Sequence, residues 1–370
     1  MRVLVIHNAY KFFGGEDTVF NQEVKAYKKL GYVVEVYQKS NNDLSVLDII
    51  FCFWNPKSYL EVKRRVKSFK PDIIHIHNFI FKLSPSIFWA LNKNTKVYLT
   101  IHNYRFLCPS GTLFIDGQVD LSSKTHFGLL KNIVKGVFQK SILKTALLVL
   151  IFKFNDVIGS FKRINAFIFL TTFSRDIHVD WKKEFFKKNL IKPNFLKTVN
   201  LEPSNVCVDI IFVGRISEEK GLENVLPILT KHRELTFAIV GTGPDYEKLK
   251  LQYQKCLHIK FYGKQSHEKT LAMLQKSKFL LFPSIWYEGM PMTIIESFSL
   301  GKPIIAHNFG AMNVMIEHKI NGLLYSSYEE LDDILDNFSQ ADYVNLSKNA
   351  RKEFESNYSQ SIGLENLKRL

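Results

Sequence analysis

Residues 279–305 read FLLFPSIWYEGMPMTIIESFSLGKPII. The opening FLLFP, Phe279 to Pro283, is a short apolar run closed by proline and reads as a buried parallel strand. Glycine and proline break the chain at Gly289 and Pro291, and apolar residues at helical spacing resume from Thr293 to Leu300, where Gly301 stops them. The predicted order is strand, loop, helix. The N-terminus of such a helix presents unpaired backbone N–H groups and the positive end of the dipole, which suits a phosphate or the hydroxyls of a sugar. Glu288 falls at the mouth of that site; Glu296, eight positions on and about two helical turns along, can face it too. The plainer alternative is that Glu288 caps the helix and Glu296 is a solvated surface residue.

Working outward, apolar β-rich runs alternate with helical patterns along the whole chain. The first series is VLVIHN, a helix near Asp17 to Leu30, VVEVYQ, IIHIHN after Pro71, and KVYLTIHN; the second is DIIFVGRI, LTFAIVGTGP, IKFYG, FLLFP and KPIIAHN. Such alternation predicts βα units and parallel sheets. At 370 residues the chain exceeds one ordinary core, so two doubly wound α/β domains are expected, 1–192 and 193–345, with IKPNFLKT as the linker. Residues 346–370 are expected to form a helix that returns to the first domain. Ligands of such sheets bind at the carboxyl ends of the strands, so two facing sheets place a cleft between them.

Composition narrows the class. Hydrophobic residues make up 46% and aromatics 14%, ample for globular folding, and the four cysteines lack CxxC spacing, so neither a disulfide framework nor a zinc site is indicated. MRVLVIHN begins directly with a strand and has no signal-peptide pattern. The best apolar window, Ala146 to Phe152, is bounded by Lys144 and Lys153 and falls short of the about 18 residues a spanning helix needs. A reduced, cytoplasmic setting follows as the expectation. Charge is uneven: residues 1–200 carry 31 Lys+Arg against 14 Asp+Glu, and the rest 19 against 21. The first half therefore suits an anionic partner, nucleic acid or anionic lipid, unless the excess is only surface lysine.

Several loops after strands carry candidate ligands. Gly14 and Gly15 in HNAYKFFGGEDTVF let the backbone approach a ligand, or merely turn the chain before a helix capped by Asp17. In VGRISEEKGLE, Gly214 is followed by Arg215 and Lys220, which can grip a diphosphate or else form surface ion pairs with Glu218 or Glu219. Gly241 and Gly243 permit a tight turn after the next strand, and the neighbours of Gly263 can meet a base through backbone groups. His102, in LTIHNYRFLCPSG, can donate to or accept from a sugar hydroxyl or phosphate oxygen, or simply pack. His75 and His77 share one face of a strand, a pattern compatible with weak metal binding but with no third ligand in view.

Taken in order, GGEDTVFNQE, TIHNYRFLCPSG, KPNF, GRISEEKG, VGTGP and PSIWYEGMPMTIIESFSLGKPII resemble glycosyltransferase family 4, retaining nucleotide-sugar-dependent enzymes of the GT-B fold. The resemblance implies two Rossmann-like domains facing across a cleft. It implies that Arg215 and Lys220 bind the donor diphosphate, that Glu296 holds the ribose, and that Glu288 holds the transferred sugar with the backbone of Gly289, Met290, Pro291 and Met292. Gly14 and Gly15 would approach the diphosphate, and His102 would contact the sugar near the reacting carbon. No metal or other cofactor is expected, because arginine, lysine and a helix dipole stabilise the leaving diphosphate. The donor would be a UDP- or GDP-sugar. One departure from the family is visible: Asp116, Gly117, Gln118 and Val119 run into Asp120 without the cysteine that relatives often carry, which leaves the acceptor open.

From Phe127 to Phe167 the sequence is apolar and basic, with Lys131, Lys135, Lys140 and Lys144 among Leu, Ile, Val and Phe. This suits an interfacial helix on anionic lipid, or a buried helix pair within the first domain. The expected partner is a lipid-linked, undecaprenyl-diphosphate saccharide at the inner-membrane surface. A nucleic-acid-binding protein lacks any supporting motif here, and a sugar-nucleotide epimerase of similar fold is the other enzymatic alternative.

Overall fold

A computed structural model describes the chain except residues 11–13, 44–47, 49, 50, 93, 199–204 and 339–341. It divides into two units, one of Met1–Leu113, Asp120–Asn194 and Gly363–Leu370, the other of Phe114–Val119 and Phe195–Ile362. Each is built on a six-stranded parallel sheet, which agrees with the expected doubly wound class.

In the first unit β1 (Arg2–Ala9), β2 (Val33–Ser40), β3 (Ile73–Ile76) and β4 (Lys96–Ile101) are joined by β7 (Ala166–Phe169) and β8 (Asn189–Ile191) in the order β2-β1-β3-β4-β7-β8. The sheet reverses its winding between β1 and β3. Val3, Leu4, Val5 and Ile6 are wholly buried, as are Ile74 and Ile76, because helices cover both faces. The helix Gly15–Lys29 turns Val19, Phe20, Glu23, Ala26 and Tyr27 inward at helical spacing. Glu16 and Asp17 in its first turn and Lys28 and Lys29 in its last complement the dipole. The strands β7 and β8 went unread in the sequence. AFIF directly follows the apolar, basic stretch and is not set off from it, and NLI is only three residues long.

A short antiparallel hairpin of β5 (Phe114–Ile115) and β6 (Gln118–Val119) is counted with the second unit. The main sheet there comprises β9 (Val208–Val213), β10 (Phe237–Val240), β11 (Ile259–Gly263), β12 (Ser277–Phe282), β13 (Ile304–His307) and β14 (Gly322–Tyr325), ordered β11-β10-β9-β12-β13-β14. Winding reverses between β9 and β12. The core joins Ile210, Phe212, Leu226, Phe237, Ile239, Phe279 and Leu281. After β12 the helix spans Met292–Ser299, one residue earlier than its apolar spacing suggests, because Pro291 serves as the N-cap. Gly301, at φ +64°, ends it in the left-handed region.

The chain's last segment runs as the helix Tyr343–Glu353, a wide turn through Tyr358, extended backbone at Ser359, and the helix Gln360–Lys368. Lys96 Nζ and Tyr98 Oη both donate to the main-chain oxygen of Leu370, at 2.8 and 2.6 Å. Among the described residues no helix is long and apolar enough to cross a membrane.

One glycine fixes how closely the strand ends of the second unit approach. At Gly241, φ +138°, an added Cβ would lie 1.8 Å from the carbonyl oxygen of Gly214, a backbone atom that cannot step aside. Gly241→Ala is therefore expected to cost about 1–3 kcal/mol and to lower the urea midpoint seen by circular dichroism. Gly15→Ala, where nothing lies within 4 Å, should change it by less than about 0.5 kcal/mol. Equal midpoints for Gly241→Ala and the native chain would contradict the close approach.

Candidate active site

The reversal between β9 and β12 brings together two of the loops singled out in the sequence. Ile285 donates its N–H to the carbonyl oxygen of Glu219 at 3.0 Å. Gly221, at φ +67°, has no room for a side chain, since a Cβ would come 2.1 Å from the carbonyl oxygen of Pro283. Across this seam Lys220 Nζ donates to Glu288 Oε1 at 2.6 Å, and Ser284 Oγ donates to the same oxygen at 2.7 Å. The ammonium also lies over the Trp286 and Phe282 rings, at 5.2 and 5.9 Å from their centroids. Lys220 thus pairs with Glu288 and not with Glu218 or Glu219; Glu219 instead accepts from Ser217 Oγ at 2.6 Å. Ser284 carried no signal in the sequence, being an ordinary serine between proline and isoleucine.

Arg215 follows β9 with its side chain exposed, and among the described residues no carboxylate pairs with it. Gly214 donates its N–H to the Val240 carbonyl at 3.0 Å, and Gly241 donates to Gly263 at 2.9 Å, so three successive strand ends are tied backbone to backbone. Gly263 lies two strands from the reversal, at the sheet edge. Gly289, Met290, Pro291 and Met292 lead from Glu288 into the helix Met292–Ser299, whose first-turn N–H groups lack intrahelical acceptors. Glu296 lies along that helix, its side chain 13% exposed, and Oε1 meets His267 Nε2 at 2.8 Å. That neighbour raises the His267 pKa above its ordinary 6.5.

Gly14, Gly15 and His102 belong to the first unit. Gly14 caps the helix Gly15–Lys29 and donates its N–H to Asp17 Oδ2 at 2.9 Å, while Asp17 Oδ1 meets His7 Nε2 at 2.9 Å. Both glycines are exposed, and a Cβ on either would meet nothing, so packing does not demand them. Glu16 beside them is pushed up to about 8 by burial, against the opposing pull of Arg105. His102 ends β4 partly buried, with Nε2 3.1 Å from His77 Nδ1. His77 and His75 lie beside the wholly buried Glu23, which makes an ion pair with the buried Lys192.

Glu23, His75 and His77 offer three ligand atoms within 4.8 Å of one another. The third partner that alternation along the strand left unfound is therefore present, but the Lys192 ammonium already occupies one Glu23 oxygen and supplies the counter-charge. Glu23 was detectable as a charge within the apolar stripe of the helix Gly15–Lys29, and Lys192 as the charge before Pro193. Their meeting depends on β3 and the chain after β8 being placed against that helix.

The basic, apolar stretch forms the helices His126–Val134 and Ile142–Val157. Leu148 and Ile151 are buried. Phe127, Val134, Leu143 and Val157, by contrast, are 70–85% exposed, and Lys131, Lys135, Lys140 and Lys144 are exposed with them. The pair is buried along one face only.

Residues 207–353 match the family model of glycosyl transferases group 1. Alpha-D-kanosaminyltransferase of Streptomyces kanamyceticus is 30% identical over 122 residues, 31% of this chain and 31% of its own. The O-antigen biosynthesis glycosyltransferase WbnH of Escherichia coli is 30% identical over 139 residues, 35% of this chain and 38% of its own. The match spans 31–47% of the length of the first such curated relatives. Over the whole chain the structure resembles HepE of Anabaena, solved in complex with UDP, with TM-score 0.68, 15% identity and 100% of both chains covered. That likeness is one of fold, and the fold is GT-B.

The His267 and Glu296 pair gives a direct test of where the Glu296 carboxylate is held. A histidine with a raised folded pKa contributes stability that is fully present below about pH 6.5 and is lost as pH rises through the folded value. The contribution is small, because the imidazole is 66% exposed. NMR titration should place the His267 midpoint above 6.5 in the native chain and return it toward 6.5 in Glu296→Gln; an unchanged midpoint in the variant would contradict the pairing.

Proposed function

We propose that the chain is a retaining glycosyltransferase that moves a hexose or N-acetylhexosamine from a UDP- or GDP-sugar to a lipid-linked, undecaprenyl-diphosphate saccharide. It would act at the cytoplasmic face of the inner membrane, in the synthesis of O-antigen, capsule or exopolysaccharide. The observation that supports this most is the Lys220 and Glu288 pair at the mouth of the helix Met292–Ser299, inside the segment that matches the transferase family. The kinship with an O-antigen transferase and the fold shared with a UDP complex point the same way.

In this reading the free site is held by its own charges. Donor binding moves the Lys220 ammonium from Glu288 to the diphosphate, where exposed Arg215 joins it with bidentate geometry. Glu288, released, accepts from hydroxyls of the transferred sugar, and Glu296 accepts from those of the ribose. Gly14, Gly15 and His102 are assigned to the diphosphate and the sugar by resemblance. The bond from the anomeric carbon to the diphosphate oxygen then breaks. The acceptor oxygen bonds to that carbon on the same face, and the acceptor's proton passes to the departing diphosphate. Arg215, Lys220 and the helix dipole supply the positive charge this needs, so the reading calls for no metal.

A thermal-shift screen of nucleoside diphosphates and their sugars should find one stabilising nucleotide. Arg215→Ala, Lys220→Ala and Glu296→Ala should each lower transfer by about 10²–10³ with the fold retained by circular dichroism; near-full activity in all three rejects the site. The exposed apolar and basic helix pair should bring the protein to lipid, with each lysine contributing about 1 kcal/mol near an anionic surface. Changing Lys131, Lys135, Lys140 and Lys144 to Gln should release it from phosphatidylglycerol vesicles, and undiminished co-sedimentation would sink the membrane assignment.

A further inference from the structure

Within the first unit a row of buried polar side chains, none of them given a role in the donor chemistry above, leads to His102. Glu23 reaches into it from the helix Gly15–Lys29, His75 and His77 from β3 and the residues after it, and Lys192 from the end of β8. The two oxygens of Glu23 have different partners. Oε1 accepts from the Lys192 ammonium. Oε2 lies 3.3 Å from His75 Nδ1 and 3.5 Å from His77 Nε2, and neither Oε2 nor His77 Nε2 makes any shorter hydrogen bond among the described residues.

Burial pushes His75 and His77 well below the ordinary histidine pKa and brings His102 down to about 3, so all three are neutral near pH 7. Each therefore carries one ring proton. A carboxylate oxygen only accepts, so the proton of His77 belongs on Nε2, facing Glu23. The alternative would set a nitrogen lone pair against a carboxylate in a dry interior. His77 Nδ1 is then a lone pair, and His102 Nε2, 3.1 Å away, must supply the proton that fills it. His75 Nδ1 also lies 3.3 Å from Glu23 Oε2, so its proton too can face the carboxylate, which leaves the order from Glu23 through His77 to His102 unchanged. The same Nδ1 lies 3.0 Å from Tyr27 Oη and His75 Nε2 2.8 Å from Thr100 Oγ1, and both hydroxyls can turn to suit either tautomer. His102 also lines a cavity of about 30 Å³ with Tyr10, Glu16, Asn103 and Arg105, room for a single water or hydroxyl.

We propose that Glu23 and His77 are positioning residues that hold His102 as its Nε2–H tautomer, so that its Nδ1 can only accept, taking a hydroxyl proton from the sugar. His102 would then select a neutral, hydroxylated sugar and disfavour one that presents a carboxylate or phosphate at that position. The substrate half of this inference rests on the transferase reading; the tautomer half does not.

Long-range ¹H–¹⁵N spectra of histidine-labelled protein, free of donor and assigned with His102→Gln, test it. The native chain should show His102 protonated at Nε2 and bare at Nδ1. In Glu23→Gln the amide oxygen turns to Lys192 and its NH₂ to His77, so His102 should switch to the Nδ1–H form. A native Nδ1–H form, or no switch in a folded Glu23→Gln, overturns the proposal. If that variant does not fold, the double variant Glu23→Leu with Lys192→Met, which removes both charges, should populate both tautomers; a pure Nε2–H state there overturns it as well. With a donor identified, Glu23→Gln should lower kcat/KM about tenfold, the worth of one hydrogen bond, and cost nothing further in His102→Gln. A further loss in that background overturns the positioning role. If no donor is found, the transferase reading fails while the spectra still decide the tautomer.

Discussion

The second unit is organised by the seam between the loops that leave β9 and β12. A parallel sheet that reverses its winding leaves a crevice between the two strands at the reversal. Here the crevice is drawn tight by a backbone hydrogen bond from Ile285 to Glu219 and by a glycine at 221 that no other residue can replace without meeting Pro283. Only with the loops this close can the ammonium of Lys220 reach a carboxylate 68 positions away. The pair is half-withdrawn from water, its side chains 21% and 7% exposed, and it also accepts a hydroxyl hydrogen bond from Ser284. Its charges are therefore worth more than those of a surface ion pair.

Much of this was legible from one chain of letters. Strands buried on both faces announce themselves as continuous apolar runs, which is why β1, β3, β4, β9, β10, β12 and β13 can be read directly. Five others could not be: β5 and β6 are two residues each, β7 lacks a break from the apolar helix before it, β8 is three residues, and GLLY of β14 opens on glycine and is only half buried. Residues of the candidate site followed the same division. Glu288, Lys220 and Glu296 stand out because their loops follow strands, but which carboxylate Lys220 chooses depends on strand order. Ser284 and His267 have no distinctive neighbours and become visible only as partners.

The first unit shows how burial sorts charge. Most of the excess lysine is on the surface, including the four that flank exposed apolar side chains on the helices His126–Val134 and Ile142–Val157. Lys192 is the exception, 2% exposed and held by a wholly buried glutamate. Removing one member of such a pair leaves an uncompensated charge and costs about 3–5 kcal/mol, so Glu23 and Lys192 constrain each other and, through the histidines, the end of β4. The same half of the chain thus combines a rigid polar interior with an amphipathic exterior.

The account turns on whether the chain transfers a sugar from a nucleotide with retention. The most direct measurement incubates the protein with the nucleotide sugar that stabilises it and a lipid-linked acceptor, in the presence of EDTA. Nucleoside diphosphate release is followed together with the anomeric configuration of the product by NMR. Acceptor-dependent release is expected, one nucleoside diphosphate for each sugar transferred, with the donor's anomeric configuration kept. Inversion, or conversion of the nucleotide sugar without an acceptor, would contradict it.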